Sequence, residues 1–175
     1  MPQLIRNRLL VDDRYALLRD ARSLEDVADG VPAIVPLALW LERRAALIAR
    51  GDIGVLLAPA DDPATIAPDV RHVPVVAVDF PSFTDGRGLS TARLLRQRYR
   101  YAGELRAVGD IQRDQLFALE QCGFDAFALK DGRDPSEALA SFRDFDSVYA
   151  PTMRELRPRF SRRVAGAMDA DLGNP

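Results

Sequence analysis

Residues 73–110 read VPVVAVDFPSFTDGRGLSTARLLRQRYRYAGELRAVGD. The apolar run at 73–80 has the composition of a buried strand. A helix is expected from Ser90 to about Tyr101, with Ala92, Leu95 and Tyr99 on one apolar stripe. After Gly103, ELRAVGD supplies a second strand. A strand, a helix and a strand in that order form a βα crossover between parallel strands.

The alternation extends in both directions. Upstream, VPAIVPL leads into ALWLERRAALIAR, a helix stopped by Gly51, and DIGVLLAP follows as a buried strand. Asp62-Pro63 reads as an N-cap with proline at the first helical position. Downstream, IQRDQLFALEQC is helical and DAFALK extended, and Asp134-Pro135-Ser136-Glu137 has capping-box spacing that opens a helix through about Phe142. These repeated units predict a single α/β domain on a mostly parallel sheet. The leading arrangement is open and doubly wound, and its rival is partial and barrel-like, because five or six units cannot close an eight-stranded barrel. In LIRNRLLVDDRYALLRD, two apolar runs around Asp12-Asp13 predict an N-terminal β-hairpin within residues 1–22. Ser23-Leu24-Glu25-Asp26 is placed to cap a short helix. The domain is expected to reach residue 150, with residues 151–175 as a peripheral tail.

Composition removes several function classes. The 26 acids and 24 bases give a net charge of −2, against nucleic acid or an anionic membrane as main partner. The apolar run at 31–41 carries two prolines and is too short to cross a bilayer. MPQLIRNRLLVDD has no secretion-signal pattern, so a cytoplasmic location is expected. Cys122 is the only cysteine and His72 the only histidine, so one chain cannot furnish an iron–sulfur cluster, a structural zinc site or a CxxC pair. No metal and no cofactor is predicted from the residues.

In parallel α/β domains, ligands collect beyond the carboxyl ends of the strands. That rule gathers Asp61 and Asp62; Asp79, Asp85, Arg87 and Ser90; Asp110 and Arg113; and Lys130, Asp131 and Arg133 on one face. His72 precedes its strand and falls at the opposite end, which leaves a Ser-His-Asp mechanism without its base. Gly86-Arg87-Gly88 arrives too late after the strand for a dinucleotide fingerprint and lacks its third glycine. The stretch fits either an anion cradle, with Asp85, Gly86, Arg87, Gly88 and Ser90 around sulfite, sulfate or phosphate, or a tight turn with Ser90 as N-cap. Arg93, Arg96 and Arg100 form a helical stripe, read as a solvated face or as a docking surface for an acidic partner. In β alternation Glu104, Arg106 and Val108 share a side, where the charges must be paired if the strand is central. Asp110 is expected to cap the next helix, and Cys122, at a helix C-terminus before Gly123, to be inert.

The segment DFPSFTDGRGLSTARLLRQRYRYAGELRAVGDIQRDQLFALEQCGFDAFAL is similar to a bacterial family, domain of unknown function 934, densely over residues 79–129 and more loosely over 31–145. FTDGRG and GELRAVGD with RDQLF carry most of the resemblance, and Leu89 stands where an aromatic is expected. The resemblance implies an oxidoreductase-like protein associated with sulfite reduction, which leaves flavin or nicotinamide open. Reducing sulfite takes six electrons and a redox centre, which this chain is poorly equipped to hold. Two roles follow: an accessory partner of a sulfite-reducing enzyme, docking through Arg93, Arg96 and Arg100, or a small anion-binding enzyme using Asp79, Asp85, Arg87, Ser90, Arg106, Asp110 and Arg113 at the strand ends.

Overall fold

The described helices pack on the same side of the sheet. The computed structural model describes residues 2–130, 134–140 and 142. Its strands are β1 (Gln3–Arg6), β2 (Leu9–Asp12), β3 (Ala16–Leu17), β4 (Ala33–Pro36), β5 (Ile53–Leu57), β6 (Val75–Phe80), β7 (Glu104–Gly109) and β8 (Ala126–Phe127). They lie in the order β2-β1-β8-β7-β6-β5-β4-β3, parallel from β3 to β8, with the β1/β2 hairpin antiparallel at one edge. Each parallel strand therefore neighbours the next in sequence. Right-handed crossovers between successive neighbours put every described helix on one face and curl the sheet into a half-barrel. The partial barrel is thus the arrangement adopted, since a doubly wound sheet would reverse its strand order and cover both faces.

On the helix-covered side, Val35, Val55, Leu57, Val76, Val78, Leu105 and Phe127 meet Trp40 and Leu47 of α1 (Leu37–Arg50), Ala92 of α2 (Arg87–Arg93) and Leu116 and Leu119 of α3 (Leu116–Gln121). A smaller cluster of Ile34, Leu56, Val75, Ala77 and Val108 lies on the inner side, with Tyr15 and Leu17 packed against it. The last described helix, α4 (Pro135–Ala140), starts after Asp134, whose carboxylate accepts the Ser136 N–H at 2.7 Å. Other expected signals hold as well. Gly51 ends α1 at φ +72°, Asp62 accepts from Ala64 N–H ahead of a 3₁₀ helix over Pro63–Asp69, and Ser23 and Asp26 form a capping box.

The hairpin forms, but its turn is not at Asp12-Asp13. It lies at Asn7-Arg8, with φ of +51° and +62°, the left-handed pair of a two-residue hairpin turn. Arg8 holds that conformation through a bidentate pair with Glu120 of α3 (3.0 and 2.8 Å). The expected tail and boundary at 150, together with Asp131 and Arg133, lie outside the described residues.

The helix at α2 departs from regular spacing after Arg93. Tyr99 N–H bonds the Leu94 carbonyl, five residues back, at 3.1 Å, and Arg100 then takes a left-handed φ of +55°. The extra residue in that turn swings Arg96 inward. Its guanidinium donates to the carbonyls of Gly123 (2.9 Å), Tyr101 (2.7 Å) and Gly103 (2.9 Å) and to the Asp125 carboxylate (2.7 Å). Tyr101 is buried beside it, its hydroxyl donating to the Glu104 carbonyl at 3.0 Å.

Burial pushes the Tyr101 hydroxyl well above the usual tyrosine range. A raised folded-state value means that its contribution is complete below the unfolded value near 10 and is lost as pH rises past it. Tyr101→Phe should therefore be about 1 kcal/mol less stable than the parent at neutral pH, through the lost hydrogen bond. It should also lose less stability between about pH 9 and pH 11. Urea unfolding at both pH values measures this, and parallel losses in the two proteins would refute it.

Candidate functional site

The half-barrel has a mouth at the carboxyl ends of its strands, where the described residues enclose a cleft of about 990 Å³. Asp13 and Tyr15 line its floor and belong to an ion network that lies beneath them on the inner face. Arg106 of β7 lies directly opposite Ala77 of β6 and Ala126 of β8, whose small side chains leave room for a guanidinium. Asp13 accepts from its Nη1 through both oxygens at 2.9 Å, and Glu104 accepts from Nε at 2.8 Å and Nη2 at 2.7 Å. The Tyr15 ring lies 5.6 Å from the guanidinium carbon, and Arg6 reaches Glu104 at 3.3 Å. Burial and the nearby Glu104 carboxylate push the Tyr15 hydroxyl up. The alternation and the pairing expected for ELRAVG are both present, with Arg106 shared between Glu104 of its own strand and Asp13 from beyond the hairpin.

Two further ion pairs stand on the rim. Asp79, at the end of β6, accepts from Arg19 at 2.7 Å, and Asp110, after β7, from Lys130 at 3.4 Å. Between them the chain turns at Gly109, φ +105°, where a side chain would collide with the Phe80 carbonyl and with Asp79. Asp110 is not a helix cap. That place is taken by Gln112, whose N–H is bonded by the Gln115 side chain at 3.1 Å. Arg113 is exposed in the short 3₁₀ turn Arg113–Gln115 and lines a separate, smaller hollow with Asp134 and Glu137.

The FTDGRG loop does not face this cleft with open donors. Asp85 accepts from Arg87 three times, from its backbone N–H (3.1 Å), Nε (3.0 Å) and Nη2 (2.7 Å). This pairing holds the Asp85 carboxyl below the usual carboxylate range and raises Arg87. The Arg87 fork is thus already filled by a carboxylate. Helix α2 starts at Arg87 with Gly86 as its N-cap, so Ser90 is an exposed residue within the helix and not its cap. Gly88 is buried against β6, where a Cβ would lie 2.5 Å from Phe80 Cζ and 3.0 Å from Val78 Cγ1. Of the arginine stripe, Arg93 is exposed at the end of α2, Arg96 serves the internal carbonyls, and Arg100 lies at the opposite end of the sheet beside His72.

The cleft residues missed from sequence are Asp13, Tyr15 and Arg19. Their signal was the alternation of Tyr15, Leu17 and Arg19, which marks a short strand with one face on the sheet. Cys122 is buried at a helix end, as expected, and His72 sits at the amino-terminal side of the strands. Among the described residues, no group of three or more His, Cys, Asp or Glu is placed to hold a metal ion. No described helix is long and apolar enough to cross a membrane.

Fold and site together define a singly wound α/β half-barrel with a charged cleft at its strand ends. Residues 54–160 match the family described as bacterial protein of unknown function (DUF934), and the chain belongs to that family. No curated protein matches it.

Removing Asp13 would leave Arg106 buried with half its partners. Asp13→Ala should cost about 3 kcal/mol in urea unfolding, and an unchanged midpoint would refute the network's role. The two loop glycines should behave oppositely. Gly88→Ala should cost about 1–3 kcal/mol through the clash with Phe80. Gly86→Ala, with 4.0 Å of clearance and φ −85°, should stay within about 0.5 kcal/mol. Equal effects in thermal denaturation would count against this packing.

Proposed function

We propose that this protein is an accessory of assimilatory sulfite reduction that acts by docking on a sulfite-reducing enzyme. The observation that carries the reading is the surface around α2. Phe83, in the loop before it, and Leu94, just after it, stand 40% and 39% exposed, and the exposed cation Arg93 adjoins Leu94. Exposed aromatic and arginine side chains such as Phe83 and Arg93 are of the types enriched where proteins dock on one another. The whole surface lies within the segment that matches the family. The sulfite association comes from the family resemblance, and a sequence with one cysteine and one histidine suits a helper that leaves electron transfer to its partner. Arg93 is the member of the expected stripe exposed beside this loop for an acidic partner, since Arg96 is engaged internally and Arg100 lies at the opposite end of the sheet. An anion at Asp85-Gly86-Arg87-Gly88 would first have to displace Asp85 from Arg87, which disfavours the anion-binding alternative at that loop.

A tagged chain recovered from cells grown on sulfate should bring the sulfite-reducing enzyme with it. A Phe83→Ser, Leu94→Ser double variant should lose the enzyme while keeping the parent circular dichroism. Recovery of the tagged parent without that enzyme, or equal recovery by the variant, would overturn the proposal.

A further inference from the structure

We infer that the strand-end cleft binds a small zwitterion carrying one carboxylate and one ammonium group, the class of an α-amino acid. This inference stands apart from the docking surface and rests on different residues. The cleft falls within the size range of small-molecule sites, at about 990 Å³, and it has an apolar wall in Leu17, Val108 and Ala128 of the inner face. Its rim carries charge of both signs in equal number: Arg19 and Lys130 against Asp79 and Asp110. The Asp79 carboxylate lies against the Gly109 turn that leads into Asp110, so both pairs border the same space.

That arrangement selects by charge balance. The side chains of Arg19 and Lys130 are 40% and 60% exposed and each meets its carboxylate through a single solvent-screened contact, which a ligand opens more readily than the three contacts that join Asp85 to Arg87. A simple anion drawn to Arg19 or Lys130 would leave Asp79 or Asp110 without its cation, and a simple cation would do the reverse. A zwitterion satisfies both signs at once, its carboxylate taking the cations and its ammonium the carboxylates. The floor is already balanced, with Arg106 saturated by Asp13 and Glu104, and so adds no net attraction for either sign.

Titration calorimetry of the full chain against each standard amino acid tests this, with the N-acetylated and amidated forms of any binder and sodium sulfite as comparators. At least one amino acid should bind, and blocking either of its charges should weaken it about tenfold or more. Arg19→Met should weaken binding similarly. Lys130→Met should do the same, and because that side chain is largely exposed this variant keeps the fold. The inference is overturned if no standard amino acid binds, if blocked forms or sulfite bind as tightly, or if neither variant changes the affinity.

Discussion

The buried guanidinium of Arg106 is the constraint around which the inner half of this molecule is arranged. Its side chain is 3% exposed in the middle of a parallel sheet, where a lone charge is several kcal/mol out of place. Glu104, two residues earlier on the same strand, supplies one carboxylate, and the strand pleat fixes its position. The second must come from elsewhere. Asp13 reaches it only if the chain leaving the hairpin crosses the inner face of the sheet, and that crossing brings Tyr15 to the guanidinium before the chain joins the far edge as β3, where Leu17 packs against the inner apolar cluster. A half-barrel with few layers on its inner side thereby acquires a cover.

The same crossing places the rim. Once Tyr15 and Leu17 face the sheet, alternation turns Arg19 the same way, at the height of the β6 carboxyl end, where it meets Asp79. The floor and rim of the cleft are therefore consecutive consequences of one chain path. On the opposite face Gly88 has the equivalent role for α2. Without a Cβ it lets the helix approach Phe80, which fixes where the FTDGRG loop must close and brings Asp85 within reach of Arg87.

What could be read from the sequence follows the range of the interactions involved. The stop at Gly51, the cap at Asp62, the burial of Cys122 and the alternation of Glu104, Arg106 and Val108 are local patterns, and each was legible. The hairpin turn was not, because Asn7 and Arg8 adopt left-handed angles that Arg8 sustains by pairing with Glu120, 112 residues away. Ser90 and Asp110 were misplaced for a different reason. Both are residue types that favour caps, but the Asp85-Arg87 contact starts α2 earlier, and Gln112 with Gln115 forms the cap that Asp110 was expected to supply. The strand order, sequential where reversal was the leading expectation, depends on crossovers that look alike in sequence for both windings.

The arginine stripe shows how one extra residue in a turn redistributes function. On a regular helix Arg93, Arg96 and Arg100 would share a face. The five-residue bond from Tyr99 to Leu94 breaks that phase, and the three then separate into surface, interior and opposite end. Arg96 becomes the element that closes the helix C-terminus. The carbonyls of Tyr101 and Gly103, left without helical partners as the chain reverses into β7, are taken up by its Nη1, while Nε ties in Gly123 after α3. The residues that look most alike in the family's most recognisable segment thus do different work.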